Sequence, residues 1–301
     1  MYVVIGATGN TGTVVADTLL AKKQKVRVVG RDPQRLERFT RKGAEAFVAD
    51  VTDAAAVTKA FSGATAAYLM IPPNISAPDV YGYEQRASDA FVAAIQKNGV
   101  QHVVALSSVG ADKPDRTGPV VGLHDLEQKL ETITGLNALF LRAGYFMHNL
   151  LPQVGVIQSM GTMAGPVRAD LPLPMIDPRD IGAVAAASLA ALDFAGKRTR
   201  ELLGPRDVTY LHVAKVIGAA IDKPDLGYFQ APPAQLKPAL LGMGMSSNMA
   251  DLLLEMAEAL NNGYMKALEP RSPENTTPTT LETFVADDFL PAYRGKAARA
   301  Q

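Results

Sequence analysis

The chain has 301 residues, which is enough for one large core or for a main domain with a smaller partner. Apolar residues make up 48% and charged residues 20%, proportions that exclude a disordered chain and a coiled coil. The 30 basic and 30 acidic side chains cancel, so we expect neither nucleic acid nor a membrane surface as a partner. There is no cysteine and there are only four histidines, so we expect no metal site, and any redox chemistry must come from a bound cofactor.

The start of the chain carries no export signal. Residues 1–6 lead directly into an apolar strand, so we expect a cytoplasmic protein. The longest apolar run, residues 181–191, is shorter than the ~20 residues needed to span a bilayer. It predicts a buried helix.

Short β-branched runs alternate with helix-length segments through the first half of the chain. The predicted strands are residues 2–5, 25–29, 44–48, 64–70, 102–106 and 138–141. The predicted helices are residues 14–22, 33–41, 54–61, 81–96 and 123–132. This alternation is typical of a parallel sheet covered by helices on both faces, so the predicted fold class is α/β with a doubly wound sheet.

The pattern changes after Leu141, where prolines from Pro152 onward interrupt the chain before a helix resumes regular structure at residues 177–191. Residues beyond 204 are predominantly helical in pattern and rich in methionine. We therefore expect residues 1–150 to form a main domain, to which residues 177–203 return. Residues 151–176 and 204–301 are expected to form a smaller, mostly α-helical substrate-binding domain.

A glycine-rich loop follows the first predicted strand and precedes a helix that we expect to start near Thr13. Its candidate cofactor-binding residues are Gly6, Thr8, Gly9, Asn10, Thr11 and Gly12. Glycines permit a tight turn and a close approach of the backbone to a pyrophosphate, whose charge then lies on free N–H groups at the helix start. The position of the loop inside a β/α pattern favours dinucleotide binding on a parallel Rossmann sheet over a structural turn.

Residues after the second strand bear on the choice between NADP and NAD. Arg31, with Arg35 one helical turn further on, offers planar and permanently charged partners for a 2′-phosphate, which favours NADP. An acid at this place would instead bond the ribose hydroxyls of NAD, and Asp32 is the candidate. Asp32 can equally cap the helix that begins at Pro33, so NAD stays the alternative.

Three further pairs of residues follow predicted strands, where ligands collect in open α/β folds. Asp50 and Val51 are placed to meet the adenine edge, although Asp50 could also cap the next helix. The other pairs are Ile71 with Pro72 and Ser107 with Ser108. For the two serines, bonds to local backbone are the alternative to ligand contact.

Four later motifs continue the pattern begun by the glycine-rich loop. They are VGRDP at residues 29–33, ADV at 49–51, LSS at 106–108 and LRAGYFMHN at 141–149, with PTTL at 278–281 before a terminal helix. In this order they resemble the NmrA-like branch of the atypical short-chain dehydrogenases/reductases. The resemblance implies an NAD(P)-binding domain, a small C-terminal domain and a cleft between them. It is closest to the NADPH-dependent quinone reductases, but the branch also contains redox-sensing regulators that bind the cofactor without turnover.

The usual active-site pair of that superfamily, Tyr-x-x-x-Lys, is absent. Its positions fall on Val120 and His124. Reduction of an ordinary ketone makes a basic alkoxide that needs a positioned acid, whereas quinone reduction makes a phenolate-like anion of acidity near that of tyrosine, roughly 10. The missing tyrosine therefore favours a conjugated acceptor such as a quinone, or no chemistry at all.

Two residues are the candidates for catalysis. His124 can supply a proton or bond the nicotinamide ribose, and its alternative is a purely structural role before the helix. Tyr145 follows the sixth strand where the cleft should open, and its alternative is packing at the domain junction. Near the C-terminal helix, Met243, Met249 and Met256 are candidates for an adaptable apolar surface or for plain core.

The leading function is therefore an NADPH-dependent oxidoreductase that transfers hydride to a quinone or a similar small molecule. The alternative is a cofactor-sensing protein that passes the NADP redox state to a protein partner. A homodimer is a further expectation.

Overall fold

A computed structural model describes residues 1–295. Its strands are β1 (Tyr2–Ile5), β2 (Val26–Gly30), β3 (Glu45–Val48), β4 (Ala66–Leu69), β5 (His102–Ser108), β6 (Asn137–Ala143), β7 (Tyr145–Phe146), β8 (Met163–Gly165), β9 (Leu173–Ile176), β10 (Lys197–Leu202), β11 (Asp207–Val208) and β12 (Tyr228–Gln230). Its α-helices are α1 (Asn10–Ala21), α2 (Pro33–Thr40), α3 (Ala54–Ala60), α4 (Val80–Asn98), α5 (Val120–Glu131), α6 (Gln153–Met160), α7 (Pro178–Ala191), α8 (Tyr210–Ala220), α9 (Pro233–Gly242), α10 (Ser247–Asn261), α11 (Leu281–Phe284) and α12 (Leu290–Tyr293). A 3₁₀ turn covers Met147–Leu150, and a π-helical turn covers Val285–Phe289.

The main sheet within residues 1–295 has seven strands in the order β10-β6-β5-β4-β1-β2-β3. All of its pairings are parallel. The chain winds outward in one direction from β1 to β3 and in the other from β4 to β10, so the order reverses beside β1. In open α/β sheets this reversal opens a crevice at the carboxyl ends of the strands, which is where ligands bind.

Helices cover both faces of this sheet, because parallel strands connected by helices bury both of their sides. α1, α2 and α7 pack on one face, over a core that contains Phe39 and Tyr68. α3, α4 and α5 pack on the other face, over a core that contains Phe61, Phe91 and Phe140. The strands consequently read as continuous apolar runs.

A further apolar core joins the later elements. It includes Met163 of β8, Tyr210 of α8, and Phe284 and Phe289 of the C-terminal helical turns. Two short sheets, β11-β9-β7 and β12-β8, cross this region. The region is tied to the main sheet by Arg179, whose guanidinium contacts Asp177 at 2.6 Å and Asp288 of the π-helical turn at 2.8 Å.

Aspartates at the helix starts explain several boundaries. A side-chain oxygen at the N-cap accepts a hydrogen bond from a first-turn amide that would otherwise lack a partner. Asp32, Asp53, Asp79 and Asp177 do this for α2, α3, α4 and α7. Pro33 and Pro178 then occupy first-turn positions, where the missing N–H costs nothing.

The predicted fold class is confirmed, with three differences in detail. α1 begins at Asn10 rather than near Thr13, because Gly9 takes the extended N-cap conformation. α5 begins at Val120, three residues before the predicted start, so Val120 and His124 both lie inside it. The main sheet also contains β10, at one of its edges. Its charged sequence does not indicate a buried strand, because an edge strand can keep one side exposed to solvent. The boundaries between the two expected domains stay a prediction.

The helices of residues 1–295 include none that is both long enough and apolar enough to cross a membrane.

Close packing of α7 on α1 gives a testable consequence. A Cβ on Gly182 would lie 2.7 Å from the Thr11 carbonyl oxygen and 2.7 Å from the Val14 Cβ. We expect Gly182→Ala to lower the free energy of unfolding by about 1–3 kcal/mol, because the two helices must separate. The control is Gly155→Ala in α6, where nothing lies within 4 Å, and which should stabilise by about 0.5–1 kcal/mol.

Urea unfolding of the three proteins measures both values. Equal stability of Gly182→Ala and the parent would contradict the tight crossing of α1 and α7.

Candidate functional site

The glycine-rich loop is built so that side chains are kept away from its centre. Gly6 has a φ of +65°, a conformation that disfavours other residues, and Met70 packs against it. A Cβ on Gly12 would collide with the Gly6 carbonyl oxygen. The Gly9 N–H donates to that same oxygen at 2.9 Å and closes the turn. The backbone at the start of α1 is therefore open to a ligand.

The first turn of α1 is held from below by buried hydroxyls. Thr13 Oγ1 donates to the Ala7 carbonyl at 2.8 Å, and the Tyr68 hydroxyl donates to Thr11 Oγ1, also at 2.8 Å. Burial raises the pKa of the Tyr68 hydroxyl, so it stays protonated and keeps donating. Gly9 has no side chain with which to cap the first-turn amides. These amides and the helix dipole fit a phosphate group.

Two exposed arginines, Arg31 and Arg35, follow β2, and Arg35 lies beside the glycine-rich loop. Arg35 Nη2 donates to the Thr8 carbonyl at 2.7 Å, which brings its guanidinium beside the loop. Asp32 accepts hydrogen bonds from the amides of Gln34 and Arg35 at 2.9 and 3.4 Å. The carboxylate of Asp32 is thus engaged as the cap of α2, the alternative that the sequence left open.

The neighbouring strands β2 and β3 end near Arg31 and Asp50. The hydrogen bond with Thr52 lowers the pKa of the Asp50 carboxyl, and the Arg31 charge adds to the effect. Asp50 accepts from the Thr52 amide at 2.9 Å, while Asp53 caps α3. The adjacent Val51 is buried. Asp50 therefore lies in a local turn near Arg31 and does not cap α3.

A cleft of about 890 Å³ opens from the carboxyl ends of β4, β5 and β6 toward α5 and α10. Four residues predicted for the site line it: Ile71, Ser107, Ser108 and Tyr145. Pro72 lies at its edge and accepts a hydrogen bond from the Tyr83 hydroxyl at 3.0 Å. The cleft is mostly apolar, which suits a flat organic molecule.

The two serines have different surroundings. Ser107 is 3% exposed and donates to Glu127 Oε1 at 2.5 Å. Arg142 donates to both oxygens of the Glu127 carboxylate, at 3.0 and 2.5 Å. The Ser107 proton therefore points away from the cleft and its lone pairs stay available as acceptors. Ser108 Oγ donates to the Val109 carbonyl at 2.9 Å, which is the local bond that the sequence left open.

Tyr145 stands where the second region meets the cleft. Its hydroxyl lies 3.0 Å from the Tyr210 hydroxyl, and Tyr210 stacks on Tyr228 with ring centroids 4.4 Å apart. Burial raises the pKa of both the Tyr145 and Tyr210 hydroxyls. Tyr145 thus combines cleft lining with packing at the junction.

His124 is placed differently from a cleft residue. Its Nδ1 donates to the Ala111 carbonyl at 2.8 Å, a bond that holds the loop between β5 and α5. Val120 and Leu123 of the same helix line the cleft, but His124 is not among the lining residues. Val120 presents an apolar side chain where the superfamily has its tyrosine.

The methionines divide between the two roles that the sequence left open. Met249 and Met256, both on α10, line the cleft. Met249 is also buried in the core beneath α10. Met243, in the turn between α9 and α10, is exposed.

Glu84 is the cleft residue that sequence reasoning missed. It lies on α4, lines the cleft and is only 9% exposed. Its side chain packs against Gly122 of α5, where a Cβ would collide with the carboxylate. Glu84 lies four residues after Val80 and three residues before Ala87, so it falls on the buried stripe of α4. A carboxylate within an apolar helix stripe is the sequence signal that could have identified Glu84.

Within residues 1–295 no group of His, Asp and Glu side chains could hold a metal ion. The residues present do fit a dinucleotide. A glycine-rich turn, a helix start without a side-chain cap and the guanidinium of Arg35 beside the turn are what a pyrophosphate and a 2′-phosphate require.

Known proteins similar to this chain include several reductases. An NAD(P)H azoreductase of Xenophilus azovorans is 27% identical over 278 residues, which cover 92% of this chain and 93% of that protein. A (4-alkanoyl-5-oxo-2,5-dihydrofuran-3-yl)methyl phosphate reductase of Streptomyces griseus is 30% identical over 281 residues, with the same coverage of 92% and 93%. Among solved structures, an Escherichia coli NADPH-dependent quinone oxidoreductase complexed with NADPH superposes with a TM-score of 0.80 at 23% identity, covering 95% of this chain and 99% of that one.

The model of the NmrA-like family matches residues 2–285, nearly the whole of the chain. This match agrees with the glycine-rich loop, the parallel sheet and the cleft described above. The chain belongs to the NmrA-like family.

Proposed function

We propose that this chain is an NADPH-dependent oxidoreductase that transfers hydride to a quinone or a similar conjugated small molecule. The observation that carries the proposal is a juxtaposition at one edge of the main sheet. The phosphate-binding loop, flanked by Arg31 and Arg35, and an apolar cleft of about 890 Å³ both open at the carboxyl ends of the parallel strands. A cofactor and a flat acceptor can therefore be held side by side.

The coarser part of the proposal, an NAD(P)H-dependent oxidoreductase, has the support of the relatives. One is named as an NAD(P)H azoreductase and another as a reductase of an unsaturated lactone phosphate. Both names describe acceptors in which the reducible group is conjugated. The solved neighbour is named as a quinone oxidoreductase.

The cofactor half of the site would be held by the glycine-rich loop and the two arginines. Gly6, Gly9 and Gly12 leave room for the pyrophosphate, and Arg31 and Arg35 pair with the 2′-phosphate. When bound, the nicotinamide supplies a hydride. Ser107, with its proton engaged by Glu127, can accept a hydrogen bond from a ribose hydroxyl or an amide.

The acceptor half of the site would be the cleft beside β5 and β6. Its apolar walls, including Val120 and the flexible thioethers of Met249 and Met256, exclude water and adapt to a planar molecule. Tyr145 adds a polarisable ring at the mouth. Because Val120 has no proton to give, the cleft suits acceptors whose reduced form is a stabilised anion.

The preference for NADPH is testable at the arginines. We expect Arg31→Ala and Arg35→Ala each to weaken NADPH binding about tenfold or more, because a charge-assisted hydrogen bond is lost, while NADH affinity changes little. Arg41→Ala is the matched control, since Arg41 lies at the exposed end of α2 and pairs with Glu37. Titration calorimetry with both nucleotides measures the affinities. Equal losses of affinity for NADPH and NADH would show that the arginines do not recognise the 2′-phosphate.

The role of His124 is testable by two substitutions. The bond to Ala111 supports a positioning role, and its predicted catalytic role stays a prediction. We expect His124→Gln, whose amide can also donate to the carbonyl, to keep stability and turnover, and His124→Ala to lose about 1 kcal/mol of stability. Thermal unfolding and steady-state rates measure the outcome. Loss of turnover in both variants at unchanged stability would make His124 a proton donor.

The test of the function itself is oxidation of NADPH in the presence of quinones, enones and azo compounds, followed by nicotinamide absorbance. We expect turnover with at least one conjugated acceptor and none with simple ketones. Gly12→Val is the control, since its side chain would collide with the Gly6 carbonyl and close the phosphate site. Binding of NADPH without oxidation for any acceptor would instead support the sensor alternative.

A further inference from the structure

The cleft contains an acidic side chain with no ionic or hydrogen-bonding partner. Glu84 is 9% exposed, and its side chain forms no hydrogen bond or ion pair with any of the described residues. Other buried carboxylates are paired: Glu127 with Arg142, and Asp177 with Arg179. Burial of an unpaired carboxylate is costly, and such a group normally takes up a proton instead.

The surroundings of Glu84 favour its neutral form from every side. Burial raises the pKa of the Glu84 carboxyl to about 8, and the negative charge of Asp125 on α5 adds to the effect. Asp125 is itself bonded by the Tyr81 hydroxyl of α4. The cleft lining includes the neutral Ser107, Val120 and Met249. It also includes the charged Asp207, Lys266, Glu269 and Arg271, but among charged groups Asp125 alone contributes to the shift of the Glu84 pKa.

The position of the group matters as much as its protonation. Val120 of α5 has taken the place of the proton-donating tyrosine of the superfamily. Glu84 reaches the same cleft from the adjacent helix α4, and Gly122 leaves the space that its carboxyl occupies. The cleft thus lacks the usual donor on α5 and holds an acid on α4.

We propose that Glu84 is the proton donor of this cleft and that it extends the substrate class to acceptors whose reduced anion is too basic for water to protonate readily. This inference rests on the proposed function and deepens it. Azo groups and enones are such acceptors, whereas quinones are less demanding. Two hydroxyl groups that also line the cleft serve less well, since Ser107 donates to Glu127 and Tyr145 is bonded to Tyr210.

The step balances as follows. A hydride from the reduced nicotinamide adds to one atom of the conjugated system, and the electron pair of the π-bond moves to the atom at its far end. That atom takes the proton from the Glu84 carboxyl as a new N–H or O–H bond forms. Glu84 is left as a carboxylate and recovers its proton from solvent. The net change is one hydride and one proton added to the acceptor.

A measurement without cofactor or acceptor tests the protonated state. An unpaired Glu in the unfolded chain ionises near its ordinary pKa of ~4.3, while in the folded chain Glu84 holds its proton up to about 8. Folding therefore binds a proton between these values, and the parent loses stability as pH rises through this window. Glu84→Gln, an isostere of the neutral acid, removes that loss. We expect the Tm of Glu84→Gln minus that of the parent to grow from pH 5 to pH 8 and then to level off.

The control for this measurement is Glu131→Gln, at the exposed end of α5. Its Tm difference from the parent should not depend on pH in the same window. A flat difference for Glu84→Gln would show that Glu84 is ionised in the folded protein and would overturn the proposal.

A series of acceptors tests the donor role. A triphenylmethane carbocation dye needs only a hydride, a quinone yields a mildly basic anion, and an azo compound yields a strongly basic one. General acid catalysis is worth about 10²–10⁴-fold. We expect Glu84→Gln to reduce the dye as fast as the parent, and to lose about a hundredfold or more in kcat/KM with the azo compound. The quinone should fall between them, and Glu84→Asp should recover part of the azo activity.

The outcomes separate this inference from the proposed function. Equal losses on all three acceptors would mean that Glu84 only shapes the cleft, and would overturn the donor role. Acceptor-dependent loss in Tyr145→Phe and not in Glu84→Gln would make Tyr145 the donor. A parent protein that binds NADPH but reduces none of the acceptors would overturn the proposed function, and the donor role with it.

Discussion

The parallel direction of the main sheet is the constraint on which the rest of this structure depends. Because the strands run the same way, their carboxyl ends and the loops that follow them all emerge at one edge. The reversal of strand order beside β1 keeps the loops of β1 and β4 from closing over each other. The glycine-rich loop on one side of this opening and the strand ends of β5 and β6 on the other are therefore neighbours, although long stretches of sequence separate them.

The two halves of the opening differ in rigidity for physical reasons. Beneath the glycine-rich loop, buried hydrogen bonds hold α1 in one position. One of them is donated by the Tyr68 hydroxyl to Thr11 Oγ1. Beside the cleft, the ion pair of Glu127 and Arg142 fixes the orientation of Ser107 in the same way. A buried hydrogen-bond network costs free energy unless every polar group in it has a partner. When every group has a partner, the network holds each side chain in one geometry. The opposite wall, supplied by α10, presents the apolar side chains of Met249, Leu253 and Met256 to the cleft.

Charge is distributed unevenly over the same opening. Arg31 and Arg35 are both exposed, and the Arg35 guanidinium lies beside the glycine-rich loop. The acceptor cleft is mostly apolar, and Glu84 is a buried acid in its lining. An apolar wall raises the proton affinity of a carboxyl without any dedicated partner. Burial on α4 can in this way provide the cleft with an acid, although Val120 of α5 has no proton to give.

The sequence by itself was enough for the fold class, because strand and helix periodicity, aspartate caps and glycine spacing are local properties. The same locality identified the turn around Gly6 and Gly12 and the arginines after β2, since these residues act through their own backbone or one helical turn. Contacts between distant segments decided the rest. Whether His124 faces the cleft or the Ala111 carbonyl depends on how α5 packs against the loop that follows β5. Glu84 became visible only when α4, α5 and α10 were packed together, because burial, which sets its protonation, is a property of the assembled fold.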